Sequence, residues 1–151
     1  FMLATPLQMA NYASAIENDG IVWKPRLVIE IRDRSGATVR KLEKTQAGQA
    51  NAKNTELSLI RDAMRAVVAD PDGTVYFPFL GFGVPVAGKS GTAETPSGDP
   101  NGWFIGFASF DAPSVAFAAV YEQYKEGPGV HASQVAGTAA RAVLGAKFGI
   151  K

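Results

Sequence analysis

Hydrophobic and polar positions change period along this chain, and each change marks a new element. Between Pro6 and Asp19 the apolar residues Leu7, Ala10, Ala13 and Ile16 recur in three-residue steps, which predicts a helix with that face inward. Its start is written in Thr5-Pro6-Leu7-Gln8: Thr5 can cap, Pro6 suits the first helical position, and Gln8 completes a capping box. Gly20 fits the left-handed position beyond its end. The period then drops to two, with Leu27, Ile29 and Ile31 alternating with Val28, Glu30 and Arg32. Asp33-Arg34-Ser35-Gly36 turns this run into residues 38–42, which predicts a hairpin. Residues 43–54 are small and polar, rich in Gln, Asn, Lys and Ala, and read as a mobile surface loop.

Helical spacing returns in Ile60, Ala63, Met64, Val67 and Val68, with Thr55 as the expected cap and Asp70-Pro71-Asp72-Gly73 as the stop. After the aromatic and Gly/Pro-rich stretch from Tyr76 to Gly83, three strands are expected at about residues 84–94, 102–110 and 115–122. Their links are short and carry turn chemistry, Pro96-Ser97-Gly98-Asp99-Pro100 and Asp111-Ala112-Pro113, so consecutive antiparallel pairing is the economical arrangement. A loop at Glu126-Gly127-Pro128-Gly129 precedes a last helix over residues 132–146, with Val135, Ala139, Ala142, Val143 and Ala146 expected across the sheet. The pattern as a whole predicts an α+β fold in which an antiparallel sheet is flanked by helices.

Composition narrows the function classes. The chain has 151 residues, 46% hydrophobic and 19% charged, the size and make-up of one globular domain. Fifteen Lys and Arg against fourteen Asp and Glu give a net charge of +1, and the dispersed cations form no nucleic-acid footprint. With no cysteine and one histidine, disulfides and thiolate metal sites are excluded, and no metal or other cofactor is expected. No apolar run approaches the ~20 residues that span a bilayer.

The candidate chemistry lies in Lys89-Ser90-Gly91-Thr92, which follows the apolar run Val84-Pro85-Val86-Ala87 and precedes Asn101-Gly102-Trp103-Phe104-Ile105-Gly106-Phe107-Ala108. A cation, two hydroxyls and a residue without a side chain at a strand end suit an anionic acyl substrate. Lys89 can stabilise negative charge, Ser90 and Thr92 can hydrogen-bond a carboxylate, and Gly91 lets a ligand backbone come close. The segment from Gly83 to Ser90 also satisfies the phosphate-loop pattern G-x-x-x-x-G-K-[ST]. That loop needs a nest of backbone N–H groups and a helix starting at the lysine. Pro85 removes an N–H, Val84 and Val86 prefer extended backbone, and Gly91, Pro96, Gly98 and Pro100 oppose a following helix. Nucleotide binding is therefore not expected. His131 reads as a loop or capping residue and Glu94 as facing water, while strand alternation divides Trp103, Phe104, Phe107 and Phe110 between two faces, so that most of them read as core.

Lys89-Ser90-Gly91-Thr92-Ala93-Glu94 followed by Gly102-Trp103-Phe104-Ile105-Gly106-Phe107-Ala108 resembles the third motif and next strand of penicillin-binding protein transpeptidase domains. The remainder is colinear. Ala4-Thr5-Pro6-Leu7-Gln8-Met9-Ala10 resembles a helix start of the class B members. Met64-Arg65-Ala66-Val67-Val68 with Asp72-Gly73-Thr74 is similar to the helix and turn before their motif strand, and Ala139-Ala140-Arg141-Ala142-Val143-Leu144 to their closing helix.

The family's S-x-x-K and S-x-N motifs occur nowhere in these residues and are expected upstream of Thr5, so residues 1–151 are expected to form the C-terminal portion of such a domain. The resemblance implies a parent D,D-transpeptidase on the outer face of the bacterial membrane, held by an anchor outside this chain. Its serine would attack the D-Ala-D-Ala carbonyl of a peptidoglycan stem peptide, and β-lactams would acylate the same serine. It also implies that Lys89 lies at the cleft floor, that Ser90, Gly91 and Thr92 bind substrate, with both hydroxyls on its carboxylate, and that the Thr92 N–H supplies half an oxyanion hole. The upstream half of the domain, or a second copy, is the implied partner. A serine β-lactamase or β-lactam sensor of similar fold, and a nonenzymatic wall-binding fragment, are the alternatives.

Overall fold

The computed structural model describes residues 3–96, 98–125 and 131–150. Along the chain run α1 (Pro6–Glu17), β1 (Ile21–Trp23), β2 (Glu30–Arg32), β3 (Thr38–Lys41), β4 (Gln46–Gln49), α2 (Asn54–Ala69), α3 (Tyr76–Phe79), β5 (Val86–Ala93), β6 (Asn101–Ala108), β7 (Val115–Tyr121) and α4 (Ala132–Phe148). The fold is α+β, as the patterning predicts. A three-stranded antiparallel sheet of order β5-β6-β7 is joined by two small two-stranded sheets, β1 with β4 and β2 with β3. The loop expected at Glu126-Gly127-Pro128-Gly129 lies outside the described residues.

Strand period two builds two cores on this sheet. On one face Val86, Phe104 and Ala108 pack with Val68, Val75, Phe79, Phe82 and the α4 residues Ala136, Ala140 and Leu144. On the other, Ala87 and Phe107 pack with Ile16 of α1 and Met64 of α2. Phe104 and Phe107 are 0% and 1% exposed, so the aromatic set divides between the faces as expected and β6 is sealed on both sides. Phe107 also stacks on half-buried Phe110, centroids 6.2 Å apart.

Helix α1 has the predicted start: Gln8 N–H donates to Thr5 Oγ1 at 3.3 Å, and Thr5 N–H donates to Gln8 Oε1 at 2.8 Å. Its far end is closed by α2, where Arg61 donates to the Ile16 and Glu17 carbonyls, each at 3.1 Å, and pairs with Asp19 at 3.1 Å. A cation here satisfies carbonyls the helix leaves unpaired and opposes the negative end of its dipole. Burial holds the Glu17 carboxyl above its ordinary pKa, with the Arg61 charge pulling the other way. The hairpin turn is also built as its residues predict. The Asp33 carboxylate accepts from the Ser35 hydroxyl at 2.6 Å, the Ser35 N–H at 2.8 Å and the Ala37 N–H at 3.0 Å, which lowers its pKa, the Ser35 hydroxyl most.

Several expectations are corrected. The polar stretch 43–54 is not simply a loop: it contains β4, which pairs antiparallel with β1, Ile21 opposite Gln49 and Val22 opposite Gly48. A ladder uses backbone groups, so a polar strand beside a short partner leaves no hydrophobic trace. Helix α2 has Lys53 rather than Thr55 as its cap residue, and the Glu56 carboxylate reaches back to accept from the Lys53 N–H at 2.8 Å. Its buried face is Leu57, Met64 and Val68, whereas Ile60 and Ala63 are exposed. Leu57 is drawn in by the turn at Gly20, and its Cδ1 lies 3.5 Å from where a Cβ would stand there. Leu7 is exposed, and Ala13, Ala15 and Ile16 carry the burial of α1. The one-turn helix α3 lies in the aromatic stretch, with Phe79 in the core.

Helix α4 presents a different face from the one expected. Ala132, Ser133, Ala136, Gly137, Ala140, Leu144 and Gly145 are buried, while Ala139, Ala142, Val143 and Ala146 are exposed and Val135 is half-buried. The small residues win because they allow the helix to lie close to the sheet. A Cβ on Gly102 would stand 2.1 Å from the carbonyl carbon and oxygen of Ala132, so β6 and the start of α4 touch backbone to backbone. Gly102→Ala is accordingly expected to destabilise the protein by ~1–3 kcal/mol through overpacking. Denaturant titration checks this, and an unchanged midpoint would contradict the close approach.

Candidate active site

Lys89, Ser90, Gly91 and Thr92 all lie within β5, in unbroken register with β6: Lys89 opposite Ile105, Ser90 opposite Phe104, Gly91 opposite Trp103 and Thr92 opposite Gly102. The lysine sits in mid-strand with no helix after it, so the phosphate-loop reading fails on geometry. β5 is an edge strand, paired among the described residues with β6 alone. Three contacts fix its start. Ala87 is fully buried, Arg65 of α2 donates to the Val86 carbonyl at 3.2 Å, and the Phe110 N–H donates to the Pro85 carbonyl at 2.8 Å.

Alternation then separates the motif's groups. Lys89 and Gly91 share the face of Ala87, toward α1 and α2, whereas Ser90 and Thr92 share the face of Val86, toward α3 and α4. Lys89 is exposed, and its Nζ donates to the Ser90 carbonyl. Thr92 is exposed, Gly91 half-buried, and Ser90 only 7% exposed. The Ser90 hydroxyl lies 2.6 Å from Thr74 Oγ1. A cavity of about 260 Å³ opens beside the strand, lined by Ala4, Met9, Gly91, Thr92, Ala93 and Trp103.

The other candidates fall elsewhere. His131 is the exposed N-cap residue of α4, its N–H 3.4 Å from Gln134 Oε1. Glu94 is exposed beyond the end of β5. Among the described residues no three His, Asp or Glu side chains gather as a metal-holding group. Thr74 is the site residue that pattern reading missed. Its turn, Asp72-Gly73-Thr74, was visible, but a hydroxyl contact across sixteen residues has no local signature.

A helix with its Thr5 cap, a turn carrying Thr74, an edge strand with Lys-Ser-Gly-Thr and a closing helix stand in the order of one known domain, and the model of the penicillin-binding protein transpeptidase domain matches residues 2–145. The chain belongs to this family. It is 35% identical over 127 residues to the peptidoglycan D,D-transpeptidase PbpA of Mycolicibacterium smegmatis, covering 78% of this chain and 24% of that protein. It is also similar to the D,D-transpeptidase domain of a peptidoglycan glycosyltransferase from Eggerthella lenta, with a TM-score of 0.73 at 32% identity over 96% of this chain and 33% of that one. Penicillin-binding protein A of M. tuberculosis, solved as an imipenem acyl-enzyme complex, superposes with a TM-score of 0.70 at 27% identity over 93% of this chain and 31% of that one. The chain thus spans about a quarter to a third of the length of these three chains.

Proposed function

We propose that the protein is a serine-type peptidoglycan D,D-transpeptidase acting on the outer face of the cell membrane, and that this chain supplies its substrate-edge strand. The observation that carries the reading is the position of Lys89-Ser90-Gly91-Thr92 on the open edge of the sheet. Such an edge leaves backbone groups for an extended peptide to join as an added strand.

In this reading a serine outside the chain attacks the carbonyl of a D-Ala-D-Ala bond. An ester C–O bond forms, the C–N bond breaks, and the serine proton passes to the departing D-Ala amine. The amine of a neighbouring stem peptide then attacks the ester, forming the cross-link and returning a proton to the serine. Lys89 would lower the cost of negative charge near the reacting serine, and Ser90 and Thr92 would hold the terminal carboxylate across Gly91. The Thr92 N–H would take one half of an oxyanion hole, each such donor being worth ~10²–10³ in rate. β-Lactams would acylate the same serine.

No serine in the chain has lysine three positions on. The 151-residue chain by itself is therefore expected to resist labelling by a fluorescent penicillin. A stoichiometric penicilloyl adduct by intact-mass spectrometry, on Ser90 or any other serine, would refute this.

In the full-length protein the two exposed side chains should separate in their effects. Lys89→Ala should slow acylation severely, because its charge would act on the transition state in the cleft that the upstream half is proposed to close over it. Thr92→Val keeps its backbone N–H and loses one charge-assisted hydrogen bond, ~1.5–3 kcal/mol, or roughly ten- to a hundredfold in second-order acylation. Stopped-flow acylation by a chromogenic β-lactam decides: if both variants stay within about twofold of the parent, this strand is not the substrate edge.

The proposed partner is the upstream half of the same domain. β7 pairs among the described residues only with β6, and a cavity of about 380 Å³ lies beside it, lined in part by Pro6, Ala118, Val120 and Val143. An open strand edge next to apolar surface invites pairing. The isolated chain should therefore self-associate, or bind the upstream segment when the two are expressed together. A compact monomer by light scattering that binds no hydrophobic dye would argue against this.

A further inference from the structure

We propose that Thr74 is a positioning residue for Ser90: its hydroxyl donates into Ser90 Oγ and leaves the Ser90 proton free for the carboxylate of the acyl donor. The inference rests on the proposed role of Ser90 at that carboxylate and adds what sets the serine for it. Ser90 is 7% exposed and its hydroxyl meets Thr74 Oγ1 at 2.6 Å, so among the described residues Thr74 is the group that sets its orientation beside whatever enters the cleft. A hydroxyl carries one proton and two acceptor sites. A carboxylate only accepts. If Ser90 donated to Thr74, its oxygen lone pairs would face the incoming anion. With Thr74 donating, the chain runs Thr74 to Ser90 to carboxylate, and each bond polarises the next.

Thr74 is held firmly enough to act in this way. It precedes Val75, which is 0% exposed and whose N–H donates to the Val67 carbonyl at 3.3 Å. It follows a turn closed by the Gly73 N–H on the Asp70 carbonyl at 2.8 Å and the Asp72 N–H on Asp70 Oδ1 at 2.9 Å. Gly73 allows that turn to lie on the end of α2, because a Cβ there would stand 2.4 Å from the Val67 carbonyl oxygen. The contact therefore joins the α2–α3 turn, set on the end of its helix, to β5, which is held by β6 and by Arg65 of α2.

The test compares second-order acylation of the full-length protein by a chromogenic β-lactam bearing a free carboxylate and by its methyl ester, in Ser90→Ala, Thr74→Val, Thr74→Ser and the double variant. Thr74→Val should slow the carboxylate form by about five- to tenfold, the scale of one hydrogen bond, while the ester stays within about twofold. Thr74→Ser should retain the parent's preference, and adding Thr74→Val to Ser90→Ala should cost nothing more. If Ser90→Ala abolishes the carboxylate preference but Thr74→Val preserves it, the positioning role is overturned and the site reading stands. If Ser90→Ala leaves the preference unchanged, the site reading fails and this inference with it. Equal slowing of both forms by Thr74→Val and Thr74→Ser would mark a general packing effect and also overturn the proposal.

Discussion

The structure depends on β6 being sealed on both faces. Phe104 enters one core and Phe107 the other, three residues apart on a strand whose side chains alternate. A one-residue slip would exchange the two sets and lose both cores together, so the register of β6 is strongly determined. β5 inherits that register through eight consecutive pairs, and with it the heights of Lys89, Ser90, Gly91 and Thr92. The glycines of β6 belong to the same constraint. A Cβ on Gly106 would stand 2.1 Å from the Ala87 carbonyl oxygen, and one on Gly102 would meet the start of α4. Large aromatics fill the two layers and glycines allow the neighbours to close on them.

This explains what could be read in advance. The three strands were legible because β5, β6 and β7 are bounded by turn residues and carry their apolar groups in runs, and α1 because Thr5, Pro6 and Gln8 form a capping box with a local signature. The motif strand was legible through its resemblance to a known domain. What was missed depends on contacts distant in the chain. β4 is a strand because β1 lies beside it, not because Gln46, Ala47, Gly48 and Gln49 favour one. The buried face of α4 follows glycine and alanine rather than valine, since closeness to the sheet outweighs the area a larger side chain would bury. Of the two neighbouring bulky residues on α4, Leu144 is 2% exposed and Val143 70% exposed, a choice that apolar spacing alone does not make.

Arg61 and Arg65 show how one helix serves both the frame and the site. They are four residues apart on α2 and so lie on adjoining turns of one face. Arg61 closes the end of α1, and Arg65 holds the carbonyl at the start of β5. Both are used as donors to backbone carbonyls, where a fixed fork of N–H groups is more useful than a point charge. α2 thus ties the first helix to the motif strand, and the turn after α2 carries Thr74 to Ser90.

A strand is a demanding place for a motif whose groups are proposed to act together. Period two sends Lys89 and Ser90 to opposite faces, so in the middle of a sheet no single ligand touches both. At an edge the separation becomes useful, because a ligand lying alongside meets one side chain above it and the other below. Gly91 keeps the space beside it clear, and the exposed Thr92 follows on the face of Ser90. Lys89 is held close to the strand by the Ser90 carbonyl, and Ser90 is held by Thr74, each side chain having a partner that limits its reach. Ordering of this kind lowers the entropy lost when a ligand binds. It also accounts for the asymmetry of the sheet: β7 can be completed by another strand without touching the motif, whereas a strand added to β5 would occupy the edge where substrate is proposed to lie.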